Sequence, residues 1–298
     1  MSTMRSVSTS SAGDEGWDPG PSLLRGDRVP WLIGSLFVLI TCWALLWSVK
    51  TYWNPLFFFG LWASATVLVR TLQGEAPLPL PRQLLLMVLS VPLWWWFEFV
   101  NGSAQNWKYQ EAFQYTPTEY ILFASLTFST VVPALDAAWH LSLKAGRVDD
   151  LQRSRIGVRW GVSEVILGLV TQLLVFLAPT FFYAFVWVAP FLVLDGLVGL
   201  VGGPNLVREM SQKRWRLPLA VALAGMGCGL FWEFWNFWAT PKWTYDVPFF
   251  HFWQVFEMPL LGYLGYVPFA WCVFQLVQLA GWGWGTLLNR AAPTTART

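Results

Sequence analysis

The sequence predicts an all-α, polytopic membrane bundle of about eight transmembrane helices, arranged as two parallel four-helix repeats. Three observations carry that prediction. The 298 residues are 55% hydrophobic and only 12% charged, which excludes an ordinary soluble domain. Apolar runs of about 20 residues, the length a helix needs to cross hydrocarbon, recur along the chain. One unusual group of polar residues occurs twice.

The elements follow in order. Residues 1–29 are rich in Ser, Thr, Gly and Asp and read as a disordered cytoplasmic N-terminal tail. Roughly 30 polar residues precede the first apolar run, so no cleaved signal peptide is expected. Spans are expected near 31–49, 54–72, 83–102 and 118–142, within a first repeat over 30–143. A basic cytoplasmic linker covers 144–163. The second repeat, 164–282, holds spans near 164–181, 183–203, 217–238 and 256–282, and 283–298 form a C-terminal tail. "APTFFYAF" barely separates the fifth and sixth spans, so one kinked span there stays open. Charge placement favours eight. With the N-terminus inside, sixteen Lys and Arg fall on the inner side and three, Lys50, Lys108 and Lys242, on the outer. That asymmetry obeys the positive-inside bias. It places both termini in the cytoplasm and the chain in the inner (cell) membrane.

The halves superpose by residue number. Pro55 and Pro190 are 135 positions apart, as are Glu98 and Glu233. Trp107 and Trp243 differ by 136, as do Tyr109 and Tyr245, and Glu119 and Glu257 differ by 138. Four spans per unit make both units enter from the same side, related by an axis along the membrane normal.

The repeated group itself is "WWWFEFVNGSAQNWKY" at 94–109 and "LFWEFWNFWATPKWTYD" at 230–246. Asn101 and Asn236 lie one helical turn beyond Glu98 and Glu233, on the same faces. Carboxylates in a span are costly, about 2.5–3.5 kcal/mol at a helix centre, and no Lys or Arg is expected deep in any span to offset them. Glu98, Glu119, Glu233 and Glu257 should gather in the outer half of the bilayer. Two readings stay open: hydrogen bonds that lock helices together, or a functional cavity. A neutral buried carboxylic acid is a potential proton source. Trp96, Trp107, Trp232 and Trp243 beside the acids offer either an interfacial belt or aromatic faces that stabilise a cation. A carbocation formed by an acid between aromatic faces is the chemistry of polyene cyclisation.

Other chemistries lack residues. Asp136 and His140 share a helical face, and Asp136 reads as the polar inner end of the fourth span. Two histidines, His140 and His251, on opposite sides make no metal site. Cys42, Cys228 and Cys272 lie singly in apolar runs and form no disulfide framework. A net charge of +2 gives no reason to expect nucleic-acid binding.

The residues resemble one family. "PTEYILFA" at 117–124 is similar to the Pro-x-Glu-Glu-x-x-Phe-Phe motif of the membrane-type lycopene cyclases, through Pro117, Glu119 and Phe123. "WEF" at 232–234 and "WTYD" at 243–246 resemble its Trp-Asp and Trp-x-Tyr-Asp elements, with Glu replacing Asp in the first. Fungal membrane-bound meroterpenoid cyclases show a looser similarity. The resemblance implies a duplicated membrane unit whose acids protonate a terminal double bond of a long isoprenoid. On that expectation Glu98, Glu119, Glu233, Glu257 and Asp246 are catalytic candidates. Asn101, Asn236, Trp96, Trp107, Tyr109, Trp232, Trp243 and Tyr245 would bind substrate. No metal or cofactor is required for such an isomerisation. The expected partners are the bilayer and an isoprenoid-like substrate. The alternatives are a proton-coupled small-molecule transporter and a non-catalytic lipid- or pigment-binding or assembly subunit.

Overall fold

The computed structural model describes residue 26 and residues 28–110, 115–146, 156–249 and 252–291, with side chains described to 283. The N-terminal tail up to 25, residues 147–155 of the basic linker and His251 lie outside the described residues.

Seven helices among the described residues are long and apolar enough to cross a membrane, so the chain is built as a multi-pass membrane protein. Proline opens several of them, where its missing N–H costs no helical hydrogen bond. α1 is Val29–Ser48, α2 Asn54–Leu72 and α3 Leu80–Ala104, each with Pro in its first turn. Strand β1, Trp107–Gln110, follows α3. The expected fourth span is a pair of helices, α4 Pro117–Phe128 and α5 Val131–Ala145, with a turn at Ser129 and Thr130 between them. α6 runs Val158–Leu177, beginning inside the segment expected to be linker. A short turn of helix, α7 (Pro179–Phe182), separates it from α8, Phe185–Leu200. The fifth and sixth spans are therefore distinct helices, although α8 is shorter than a full crossing. α9 is Leu206–Ser211 and α10 Arg216–Asn236. Strand β2, Lys242–Tyr245, then pairs antiparallel with β1.

The segment expected to start the last span at 256 is not α-helical there. It forms a two-stranded hairpin, β3 Gln254–Val255 with β4 Met258–Pro259, and a 3₁₀ turn over Leu260–Gly265. α11 begins at Tyr266 and continues to Ala291, so residues 283–291 extend a helix that was expected to end at 282.

Packing pairs the helices similarly in the two halves. α1 lies on α2 and α6 on α8, α2 contacts α5 and α8 contacts α11, and α10 sits against both α5 and α11. Glycines allow α10 and α11 to approach closely: a Cβ on Gly225 would meet the Ala270 Cβ at 2.5 Å and the Tyr266 backbone oxygen at 2.6 Å. Close backbone approach through small residues is how helices gain packing energy in lipid.

Buried charge gathers where α2 ends. Arg70, at the end of α2, is 4% exposed and pairs with Asp136, itself 1% exposed. Arg82 and the His140 ring also approach Asp136, at 3.6 and 3.7 Å. Arg70 does not lie deep in its span, in agreement with the expectation for Lys and Arg. It is placed where α2 ends, so its charge is compensated by α5. In the second half Asp195, fully buried on α8, accepts hydrogen bonds from the Leu206 and Val207 N–H groups at 2.7 and 3.0 Å and from the Gln275 amide. It tethers α9 to α8 and α11.

Candidate functional site

Two glutamates, one in each half, are held by the same kind of cradle. Glu98 lies near the end of α3, and its Oε1 accepts from Trp94 Nε1 at 2.9 Å, Trp107 Nε1 at 3.2 Å and Tyr109 Oη at 2.5 Å. Glu233 lies near the end of α10, and its Oε1 accepts from Trp243 Nε1 at 3.3 Å, Tyr245 Oη at 2.6 Å and Tyr266 Oη at 2.6 Å. Each acid therefore draws the Trp and the Tyr of the Trp-x-Tyr strand that follows its helix. Glu233 is fully buried, and its Oε2 has no hydrogen-bond partner.

The asparagines explain how the strands reach the acids. The Asn101 side chain donates to the Trp107 carbonyl at 2.9 Å and accepts from the Trp107 N–H at 3.2 Å. Asn236 does the same for Trp243, at 2.7 and 2.9 Å. A primary amide has one donor face and one acceptor face, so it pairs with a peptide unit as a neighbouring strand would. Asn101 and Asn236 are thus positioning residues that hold the strand backbone and do not face a ligand. The two strands then meet each other: Trp107 lies opposite Tyr245 and Tyr109 opposite Trp243.

A cavity of about 170 Å³ lies where these parts converge. Trp107, Tyr109, Trp232, Trp243 and Tyr245, all expected at the site, line it. The positions contributed by the two halves correspond. Tyr120, Ala124, Thr127, Phe128 and Val131 line one side, and Met258, Gly262, Gly265, Tyr266 and Phe269, each 138 residues later, line the other. The wall is almost wholly aromatic and aliphatic. Trp107 stacks on Trp187 with ring centroids 5.5 Å apart, and Trp232 stacks on Tyr266 at 6.1 Å. The carboxylates stand one layer behind this wall, each bonded to indole and phenol groups that face the cavity. Burial, and then the charge of the neighbouring glutamate, push the Tyr109 and Tyr245 phenols well above the usual tyrosine range.

Besides the two asparagines and the two carboxylates behind the wall, four more of the expected residues lie away from the cavity wall. Glu119 is not at the cavity wall. It closes a capping box at the start of α4, accepting from the Thr116 N–H and hydroxyl at 2.8 Å each while its own N–H donates to Thr116 Oγ1 at 3.3 Å. Glu257 sits at the tip of the β3–β4 hairpin and accepts from Lys242 at 2.7 Å. Asp246 pairs with Lys108 at 3.0 Å, and both side chains are more than half exposed. Trp96 faces outward against Phe99, because it is two residues from Glu98 and hence off its helical face. Trp94, four residues before Glu98, takes the place at the wall.

Trp94 belongs to the tryptophans that cluster around the acids in sequence; the residues missed were Trp187, Tyr120 and Tyr266. Trp94 is legible from i, i+4 spacing to Glu98, and Tyr266 from its 138-residue offset to Phe128. Trp187 carries no such signal. No group of three or more His, Cys, Asp or Glu able to hold a metal occurs among the described residues.

No protein-family model, no curated protein and no solved structure matches the chain. The likeness to the lycopene cyclases therefore rests on its short motifs.

Proposed function

We propose that the protein is a membrane isoprenoid cyclase or isomerase, built from two duplicated units around one shared cavity. The observation that supports this reading is the wall itself. Aromatic faces from both halves enclose an apolar space, and several of the same side chains hold a buried glutamate. A cavity of about 170 Å³ is too small for a whole long isoprenoid, since pockets that hold drug-sized ligands measure about 300–1,000 Å³. The end group of the chain would enter and the remainder would stay in lipid.

The chemistry conserves atoms and electrons, so it needs no cofactor. A phenol beside a glutamate gives a proton to a terminal double bond. The resulting cation lies between indole and phenyl faces, an attraction worth roughly 2 kcal/mol or more when desolvated. Loss of a proton from a neighbouring carbon returns the acid. Glu119, Glu257 and Asp246 take no part in this scheme, because each is committed to a cap or a lysine. Orientation with both termini in the cytoplasm of the inner membrane belongs to the same proposal and follows from the placement of Lys and Arg.

To test it, the chain is expressed in cells that accumulate linear isoprenoids, and the lipid extract is analysed. A new cyclised or double-bond isomer is expected. Unchanged extracts across acyclic carotenoid, squalene and polyprenol precursors would contradict the reading.

One observation favours a second reading, a lipid- or pigment-binding subunit. All three donors at each acid converge on one oxygen, as they would in a purely structural anchor. Purification with a bound isoprenoid that is never altered would select that reading.

A further inference from the structure

The two cradles differ at one reciprocal exchange. In the first half the third donor to the acid is Trp94, one turn before Glu98 on the same helix, and its ring packs on Phe128 with centroids 5.6 Å apart. In the second half the residue one turn before Glu233 is Gly229, and the counterpart of Phe128 is Tyr266. The ring of Tyr266 fills the space that Gly229 leaves: a Cβ there would stand 2.3 Å from Tyr266 Cδ2 and 2.5 Å from Cγ. Where the first half has an indole and a phenyl, the second has a hydrogen atom and a phenol.

That exchange has a chemical consequence. An indole N–H only donates, whereas a phenol both donates and accepts and can pass a proton on. Glu98 has one phenol and two indoles. Glu233 has two phenols, Tyr245 and Tyr266, each 2.6 Å away. Trp243 Nε1 donates to the Tyr245 oxygen at 2.9 Å. Tyr266 bonds to Glu233 and also reaches the Tyr245 phenol, so the two phenols form a short chain beside the acid, and the Tyr266 ring lines the cavity. Glu233 also carries the unpartnered Oε2.

Resting on the cyclase or isomerase reading, we propose that proton exchange with the substrate runs through Tyr266 and Glu233, and that the Glu98 cradle shapes and supports the cavity. The step balances. With Glu233 starting as the neutral acid, the Tyr266 O–H turns from Glu233 to the alkene and breaks as a carbon–hydrogen bond forms there, and the Glu233 carboxyl proton passes to the phenol oxygen, leaving a carboxylate and a carbocation. When an adjacent C–H bond breaks, its electron pair forms the new double bond and its proton returns through Tyr266 to Glu233.

Turnover and ligand binding are measured for wild type, Tyr266→Phe and Tyr109→Phe in reconstituted membranes, with squalane as the inert binding probe. Tyr266→Phe should lower turnover at least a hundredfold, the low end of general acid–base effects of about 10²–10⁴, while binding squalane within about threefold of wild type. Tyr109→Phe should cost less than about tenfold. The reverse order overturns the assignment. A second readout does not need turnover: infrared spectra of the carboxyl stretch during exchange into D₂O. A band removed by Glu233→Gln should exchange at least tenfold more slowly in Tyr266→Phe. No such carboxyl band, or exchange unchanged by Tyr266→Phe, also overturns it. If that band behaves as expected while no isoprenoid is converted, the proton path stands and the cyclase reading fails.

Discussion

Gly229→Ala probes the contact that sets the two halves apart. The added methyl would lie 2.3–2.6 Å from three carbons of the Tyr266 ring, so something must move. Gly225, one turn earlier, is packed so closely that a Cβ there would also meet Tyr266, at its backbone oxygen, so α10 and α11 have no slack between them at this point. The ring must swing, and its 2.6 Å hydrogen bond to Glu233 is then lost. Overpacking costs about 1–3 kcal/mol. The hydrogen bond contributes about 0.5–1.5 kcal/mol. Replacing Gly by Ala in a helix returns about 1 kcal/mol. The net effect is destabilisation by roughly 0.5–3.5 kcal/mol. Gly227, on the same helix, has open space where its Cβ would be, so Gly227→Ala keeps only the helical gain. At roughly 2–4 °C per kcal/mol, Gly229→Ala should unfold some 3–18 °C below Gly227→Ala. Thermal unfolding in one detergent, followed by circular dichroism, measures the difference. Equal midpoints, or a more stable Gly229→Ala, would refute the close fit of Tyr266 against Gly229.

Other outcomes follow from the remaining contacts. Asn236→Ala removes both bonds to the Trp243 backbone and should cost about 1–3 kcal/mol in denaturant or thermal unfolding. Arg70→Leu leaves Asp136 buried without its main partner and should destabilise by roughly 3–5 kcal/mol, whereas adding Asp136→Leu should recover much of that loss. Alkaline pH should destabilise the fold. Tyr109 and Tyr245 titrate well above 10 when folded, so above pH 10 the folded state holds protons that the unfolded state has released. Stability then falls as pH rises, and Tyr109→Phe with Tyr245→Phe should flatten that fall in unfolding measured from pH 9 to 11.5.

Much of the bundle was readable because hydrophobic length is a local signal. α2, α3 and α10 begin and end close to where their apolar runs do. The last expected span failed at its start: "FEMPLLGYLGY" is as apolar as a helix, yet it forms a hairpin and a 3₁₀ turn that wall the cavity. Irregular backbone of this kind is tolerated in a membrane protein where it lines an internal space, and apolarity alone does not distinguish it. At the site, Glu98 and Glu233 were legible as costly charges in apolar runs, and their strands as repeated Trp-x-Tyr. Glu119 was misplaced although "TPTE" carries the capping spacing. Glu257 and Asp246 were misplaced because lysines distant in sequence, Lys242 and Lys108, neutralise them. Tyr266 required comparing the halves residue by residue, since its meaning lies in what Phe128 lacks.

The central claim is that a solvent-derived proton reaches a hydrocarbon through Glu233 and its phenols. The most direct measurement is incubation of the reconstituted protein with a linear isoprenoid in D₂O, followed by mass spectrometry of the extract. The account predicts a product isomer carrying one deuterium, absent in Glu233→Gln. Product that forms without deuterium, or labelled product that persists at wild-type rate in Glu233→Gln, would contradict it.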